Sequence, residues 1–350
     1  EEEVALRAQG RYVARLKRYK LAQSSSADAA WKLTMAQRGT LADLQKQPCD
    51  RHDPAADQVE IRVRATGLNF LDVLDALGIL PYERGGFGAE STGEVVAVGP
   101  GVERFQVGDA VMAIAPDSFS QYVTVPTDLV VAKPEGLSFE AAATIPVYFL
   151  TAYYALYQVA HLSQGVRILI HAAAGGTGMA AVQLAQQVGA EVLATASPKK
   201  WETLRALGVT HVMNSRTVAF ADEVMALTEG RGVDCVFNSL AGEFIPKSLS
   251  VLTDTGRFIE IGKNKVWSAE QVHQLKPHVQ YAVVDLFEYC HQEQPAVQTM
   301  LQALLAKFRR GELTPLPTDI FPIEAVTDAF RHMQQAKHVG KIVVNQTVEP

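Results

Sequence analysis

Between residues 166 and 285, six short apolar runs recur: VRILIHA, EVLATAS, HVMNS, VDCVFNSL, GRFIEIG and VQYAVVD. Stretches with helical spacing separate them, such as MAAVQLAQQVG (179–189) and KKWETLRALG (199–208). This alternation predicts an α/β unit with a doubly wound parallel sheet of the Rossmann type. A further amphipathic helix, AVQTMLQALLAKFRRGEL, follows and ends at Gly311.

The earlier part of the chain has a different rhythm. VEIRVRA (59–65) alternates, GEVVAVGPGV (93–102) runs into a Pro-Gly turn, and VGDAVMAI and QYVTVPTDLVVAKP add short strands between turn signals. These predict a β-rich, partly open barrel. The pattern changes near residue 136. SFEAAATIPVYFLTAYYALYQVA (138–160) is mostly helix-compatible, with Ser138 as its N-cap and a break at Pro146. The tail GKIVVNQ (340–346) returns to strand. The expected organisation is a β-rich unit of residues 1–135 with 316–350 and an α/β unit of residues 136–315. The basic stretch 11–20 reads as an exposed strand, and 22–30 as a polar connection.

The first apolar run enters HAAAGGTGMAAVQLA, where the order Ala173-x-Gly175-x-x-Gly178 has alanine in place of the usual first glycine. Glycines let a phosphate approach backbone N–H groups, and the helix that follows offers its positive end. Ala174, Gly175, Gly176, Thr177, Gly178 and Met179 are the candidate contacts, with a purely structural turn as the alternative. The second run ends at Ser197, followed by Lys199 and Lys200, with no carboxylate to take a ribose 2′-hydroxyl. A hydroxyl and a cation suit a 2′-phosphate, so the expected coenzyme is NADPH. Arg216, after the third run, adds a second cation; ordinary surface charge is the alternative for both basic residues.

A formal net charge of −6 with both signs mixed excludes a nucleic-acid footprint. No apolar stretch is long enough to span a bilayer, and no signal peptide is visible. The 3 cysteines, Cys49, Cys235 and Cys290, are far apart, which fits a reducing, cytoplasmic compartment. The start EEEVALR, without methionine, suggests a domain excised from a longer polypeptide.

Six stretches, GLNFLDVLDALG, HAAAGGTGMAAVQLA, ATASPKKWETLRALG, VFNSLAGEFIPKSL, FIEIGK and AKHVGKIVV, cover most of the chain in order. In them the chain resembles the enoyl reductase domains of modular polyketide synthases. These form part of the zinc-free, quinone-oxidoreductase-like branch of the medium-chain dehydrogenase/reductase superfamily. The resemblance implies a GroES-like β domain beside the Rossmann sheet. It implies hydride transfer from NADPH to the β-carbon of an enoyl thioester, with protonation of the α-carbon. It also implies an acyl carrier protein that presents the substrate on phosphopantetheine, and neighbouring synthase domains. Where zinc-dependent relatives carry Gly-His-Glu, this chain has Gly88-Ala89-Glu90, and the cysteine ligand expected near LNFLD is missing. Glu90 is therefore expected to be structural.

Lys263 and Asp285 follow the fifth and sixth runs, where parallel sheets place their ligand crevice. They are the expected proton-handling pair, with a structural ion pair as the alternative. The family pattern places Asn69 near the nicotinamide, and Gly340 and Lys341 in a coenzyme-contacting segment, with surface charge as the alternative for Lys341. Thr151 is expected at the nicotinamide face, and Asn238, Ser239, Leu240 and Gly262 beneath the coenzyme. His171 reads as a packed histidine, Tyr153 and Tyr154 as packing residues, and Asp72 as structural. The open alternatives are a free-standing quinone or enone reductase, reductive cyclopropane closure on a γ-halogenated enoyl thioester, and a non-catalytic NADPH-binding module.

Overall fold

The computed structural model describes residues 4–7, 10–13, 30–80, 82, 84–263 and 265–347. Most of the basic stretch 11–20 and of the connection 22–30 lies outside the described residues. β1 (Val4–Arg7) and β2 (Gly10–Val13) pair antiparallel, as do β3 (Trp31–Met35) and β4 (Leu44–Pro48). β5 (Gln58–Leu68) leads into helix α1 (Phe70–Ala76), and β6 (Glu90–Val98), β7 (Ala110–Ile114), β8 (Tyr122–Pro126) and β9 (Val130–Ala132) follow. The alternation in β5 sends Val59, Ile61 and Val63 into a core with Val95, Val111 and Val125, while Arg62 faces solvent.

The segment 138–160 is not one helix. Ser138 Oγ accepts from Ala141 N at 3.1 Å and caps the short α2 (Phe139–Ala142). Pro146, which lacks an N–H and cannot sit in a helix interior, instead begins α3 (Pro146–Tyr153). The last turns widen into a π-helix over Tyr154–Val159.

Then β10 (Arg167–Ile170), α4 (Gly176–Gln187), β11 (Glu191–Ala196), α5 (Trp201–Ala206), β12 (His211–Asn214) and α6 (Phe220–Leu227) alternate. β13 (Val233–Asn238), α7 (Phe244–Ser250), β14 (Leu252–Glu260), α8 (Ala269–Leu275) and β15 (Gln280–Val283) continue the pattern. All adjacent strands are parallel, in the order β12-β11-β10-β13-β14-β15. Successive side chains serve opposite faces: Ile168 and Ile170 pack with Leu184 and Leu304, whereas Leu169 packs with Val224 and Phe258. The strand order reverses between β10 and β13, so a crevice opens beyond their C-terminal ends.

α9 (Leu286–Gln292) and α10 (Gln294–Arg309) lead back to β16 (Thr318–Pro322), α11 (Val326–Gln334) and β17 (Lys341–Asn345). β17 lies between β16 and β5, parallel to the first and antiparallel to the second, with Ile342 opposite Leu68. α11 lies over this sheet and sets Phe330 edge-on to Phe87, 5.8 Å between ring centroids. Among the described residues, no helix is long and apolar enough to cross a membrane.

Candidate active site

The glycine turn joins β10 to α4. The Gly175 N–H bonds Ala172 O at 2.9 Å, and Met179 N reaches Gly175 O at 2.8 Å to close the first helical turn. The N–H groups of Gly176, Thr177 and Gly178 fall in that first turn, where a helix offers donors without internal partners. The three glycines differ in what they face. A side chain on Gly176 would run into the Tyr148 ring, and one on Gly178 would lie 2.6 Å from Ala172 O. On Gly175 a Cβ would meet only Ala172 O, at 3.3 Å. Gly176 and Gly178 therefore permit packing, while Gly175 is the least crowded of the three. Ala174 and Met179 are buried, and Thr177 is half-buried. Gly340 lies alongside: its N–H bonds Ala174 O at 3.2 Å, and it forms a parallel bridge with Gly175.

At the end of β11, Ser197 is half-buried, Lys200 follows it, and Arg216 is exposed after β12. Burial, and then the nearby Arg216 charge, lower the Lys200 ammonium from its ordinary value. Lys200 Nζ donates to His338 O at 2.5 Å and to Ala336 O at 3.0 Å. Lys200 and Arg216 thus lie near each other beyond the ends of β11 and β12.

Lys263 and Asp285 meet beyond β14 and β15, with Nζ donating to Oδ2 at 2.7 Å. Asp285 also caps α9, its Oδ1 accepting from Phe287 N and Glu288 N. Burial alone would raise the Asp285 carboxyl. The hydrogen bond and charge of Lys263, together with the two N–H groups, outweigh it and hold the group below the ordinary carboxylate range. The pair lines a cleft of about 320 Å³, whose opposite wall comes from the β-rich part through Leu71, Tyr82, Ala89 and Pro116.

Beneath this crevice Asn238 and Glu260 brace the strand ends. Asn238 Nδ2 donates to Glu260 Oε2 at 2.5 Å and to Leu240 O at 2.8 Å, and Gly262 N donates to Glu260 Oε1 at 2.6 Å. Ser239 is exposed and Leu240 half-buried. Sequence reasoning missed Glu260. Its signal is a lone carboxylate at the end of the buried run Phe258-Ile259.

Lys341 is no surface charge: its side chain is 0% exposed. Its ammonium pairs with Glu90, donates to Asn69 Oδ1 at 2.9 Å and sits 3.3 Å from the Tyr148 ring centroid. Burial lowers this ammonium, opposed by Glu90. Asn69 Nδ2 donates to Glu90 Oε1 at 2.9 Å and to Gly67 O at 3.2 Å, so its amide is committed to the same network. Glu90 Oε2 accepts from Val147 N at 2.8 Å, which fixes the start of α3. Thr151, one turn on, donates to Val147 O at 2.7 Å. The network thus reaches the glycine turn through Tyr148 and Gly340. It does so without presenting the Lys341 ammonium at the surface.

Other polar groups are accounted for locally. His171 is buried between Thr195 Oγ1 at 3.0 Å and Ser248 Oγ at 2.7 Å, and burial pushes its imidazole down to about 3. Asp72 accepts from Asn69 N, Gly88 N and Arg84. Tyr153 packs on Tyr157, and Tyr154 stacks on Tyr289. Among the described residues, no cluster of three or more His, Cys, Asp or Glu side chains could hold a metal ion.

A glycine-turned parallel sheet joined to a β-rich unit, with a lysine and an aspartate at the crevice, defines an oxidoreductase of the medium-chain dehydrogenase/reductase class. Family models agree: residues 55–135 match the alcohol dehydrogenase GroES-like domain, and residues 207–344 match zinc-binding dehydrogenases. The crystal structure of CurK enoyl reductase superposes with a TM-score of 0.88 at 48% identity, covering 91% of this chain and 100% of that one. The CurF ER cyclopropanase from the curacin A pathway gives 0.87 at 44% identity, with the same coverage. The phenolphthiocerol synthesis polyketide synthase Pks15/1 of Mycobacterium bovis is 44% identical over 324 residues, 91% of this chain. The chain belongs to the enoyl reductase family of polyketide synthases. It spans 20%, 15% and 9% of the length of three curated synthases that it matches.

Proposed function

We propose that this chain reduces the α,β double bond of an enoyl thioester presented by an acyl carrier protein, with NADPH as the coenzyme. The observation that carries the reading is the joint geometry of the glycine turn and the Lys263–Asp285 pair, both at the C-terminal edge of one sheet. When bound, NADPH supplies the hydride that adds to the β-carbon. The donors of Gly176, Thr177 and Gly178 would hold its diphosphate, and Lys200 and Arg216 its 2′-phosphate. The chain's own task is then to accept charge at the thioester oxygen and deliver a proton to the α-carbon. Lys263 Nζ, oriented by Asp285, is placed to do both, in a site that works through positioning and hydrogen bonds. On the same reading, the coenzyme unit is residues 136–315 and the β-rich unit 1–135 with 316–350. The relatives, which are large synthases, support neighbouring synthase domains, and the same reading expects a cytoplasmic setting.

The test follows NADPH absorbance with a crotonyl thioester on a carrier-protein arm, together with product mass. Saturated acyl product is expected, with the carrier-bound substrate far outperforming a free enone. Comparable turnover of a free quinone or enone would instead mark a free-standing reductase, and coenzyme binding without turnover of either would mark a non-catalytic module. Lys263→Ala is expected to lower kcat about 100-fold; an undiminished kcat would assign proton delivery to water in place of Lys263. Lys200→Met is expected to raise the KM for NADPH about tenfold and leave that for NADH unchanged. Equal effects on both coenzymes would remove Lys200 from the 2′-phosphate site.

The 44% identity to an ER cyclopropanase supports a second reading. If the γ-carbon carries chloride, hydride addition at the β-carbon creates an α-carbanion. Its electron pair can form the α–γ bond as chloride leaves, closing a cyclopropane without protonation. A γ-chloro-enoyl substrate yielding chloride and a ring product would establish this chemistry.

A further inference from the structure

The segment between α11 and β17 crosses from the β-rich part to the glycine turn, and it carries a ring that the reaction leaves unused. Lys200 holds this segment through the carbonyls of Ala336 and His338, and Gly340 holds it to Ala174. His338 is thereby pinned between the two places where a dinucleotide carries phosphate: the glycine turn and the end of β11. Its Nδ1 is shut off from solvent and has no hydrogen-bond partner. Buried polar atoms without partners are rare, and one that the chain leaves unpaired calls for a partner from outside it, such as a ligand, a water or an ion.

The charges around the ring are unbalanced. Lys200, His332 and Lys341 face it, and Asp319 is the opposing carboxylate. Asp319 is itself engaged by His332 at 3.0 Å, and the His332 ring lies 6.4 Å from that of His338. Arg216 adds positive charge next to Lys200. Glu90 balances Lys341 and Asp319 engages His332, so among the described residues Lys200 and Arg216 are the cations here with no carboxylate in salt-bridge range. We propose that His338 donates a hydrogen bond from its ring to a phosphate group of the bound dinucleotide, sharing that anion site with Lys200.

This rests on the reading that the coenzyme lies along the glycine turn. Burial, then Lys200 and His332, push the free imidazole down to about 4, so it is neutral at pH 7. A phosphate beside it offsets those charges and raises its affinity for a proton. Coenzyme binding then takes up a proton, and the contribution of His338 to affinity grows as pH falls from 8 towards 6.

Calorimetric titration of NADP⁺ and NAD⁺ into the whole chain, in two buffers of different ionisation enthalpy, reads both quantities. Wild type is expected to take up a fraction of a proton at pH 7. His338→Gln should bind on the order of tenfold more weakly and take up none. A loss confined to NADP⁺ supports the assignment, because Lys200 is assigned to the 2′-phosphate; an equal loss with NAD⁺ separates His338 from that anion site and overturns it. Wild type that binds without proton uptake, with His338→Gln binding equally well, overturns it. Wild type that binds neither nucleotide overturns the coenzyme reading itself, and this inference with it.

Discussion

Replacing Lys341 with methionine is expected to destabilise the fold by about 3–5 kcal/mol, the usual cost of stranding one partner of a buried ion pair. The side chains of Lys341 and Glu90 are both 0% exposed. Without the ammonium, Glu90 keeps only the Asn69 amide and the Val147 N–H as partners. The Tyr148 ring loses its cation, and that ring is what Gly176 rests against. Chemical denaturation of wild type and variant measures the effect. The double variant Glu90→Gln/Lys341→Met should recover much of the loss, because no charge is then left buried. A single variant within about 1 kcal/mol of wild type would show that water reaches Glu90 and that the pair is not load-sharing.

Changing Gly175 to aspartate is expected to leave the fold intact and abolish coenzyme binding. Gly175 is the N-cap of α4, with an extended backbone that any residue can adopt, and its Cβ would meet nothing closer than 3.3 Å. Aspartate is a favoured N-cap, and the tight 3.3 Å contact of its Cβ with the Ala172 carbonyl offsets that gain, so folding stability should change by less than about 1 kcal/mol. The same carboxylate would occupy the free N–H groups and repel phosphate. Affinity for NADPH should then fall by about 100-fold or more, roughly 3 kcal/mol. Gly176→Ala is the contrasting variant: its methyl group runs into the Tyr148 ring, so stability itself should drop. Normal coenzyme affinity in Gly175→Asp would remove the phosphate from this turn.

The strands of the parallel sheet were legible because they are covered on both faces and read as unbroken apolar runs. After residue 138 the N-cap Ser138 and the break at Pro146 were legible too, but the π-turns were not, because α3 is apolar all round and shows no stripe whose period could reveal them. β3 and β4 escaped notice for other reasons: β4 is mostly exposed and carries little pattern, and β3 alternates Trp31, Leu33 and Met35 with polar residues over only five positions. α11 escaped notice although its buried Val326, Ala329, Phe330 and Met333 recur at helical spacing, so its signal was present in the sequence. In the site, alternation placed Lys263 and Asp285 at strand ends, and the family resemblance singled them out as a candidate pair. The Lys341 network was not legible. Its lysine opens a strand that reads as ordinary, and its carboxylate partner lies 251 residues away.

The position of β17 also sets an order of events during synthesis. β10 to β15 occupy one uninterrupted stretch, so the parallel sheet can form as soon as it leaves the ribosome. The β-rich sheet cannot finish then. The end of β5, Ala65–Leu68, waits for Ile342–Asn345, and Glu90 waits for Lys341. Until those residues emerge, a nascent chain carries an open strand edge and an unpaired buried carboxylate beside a finished nucleotide-binding half. That interval is when this chain is most exposed to misassembly, and a chaperone would have most to offer it there.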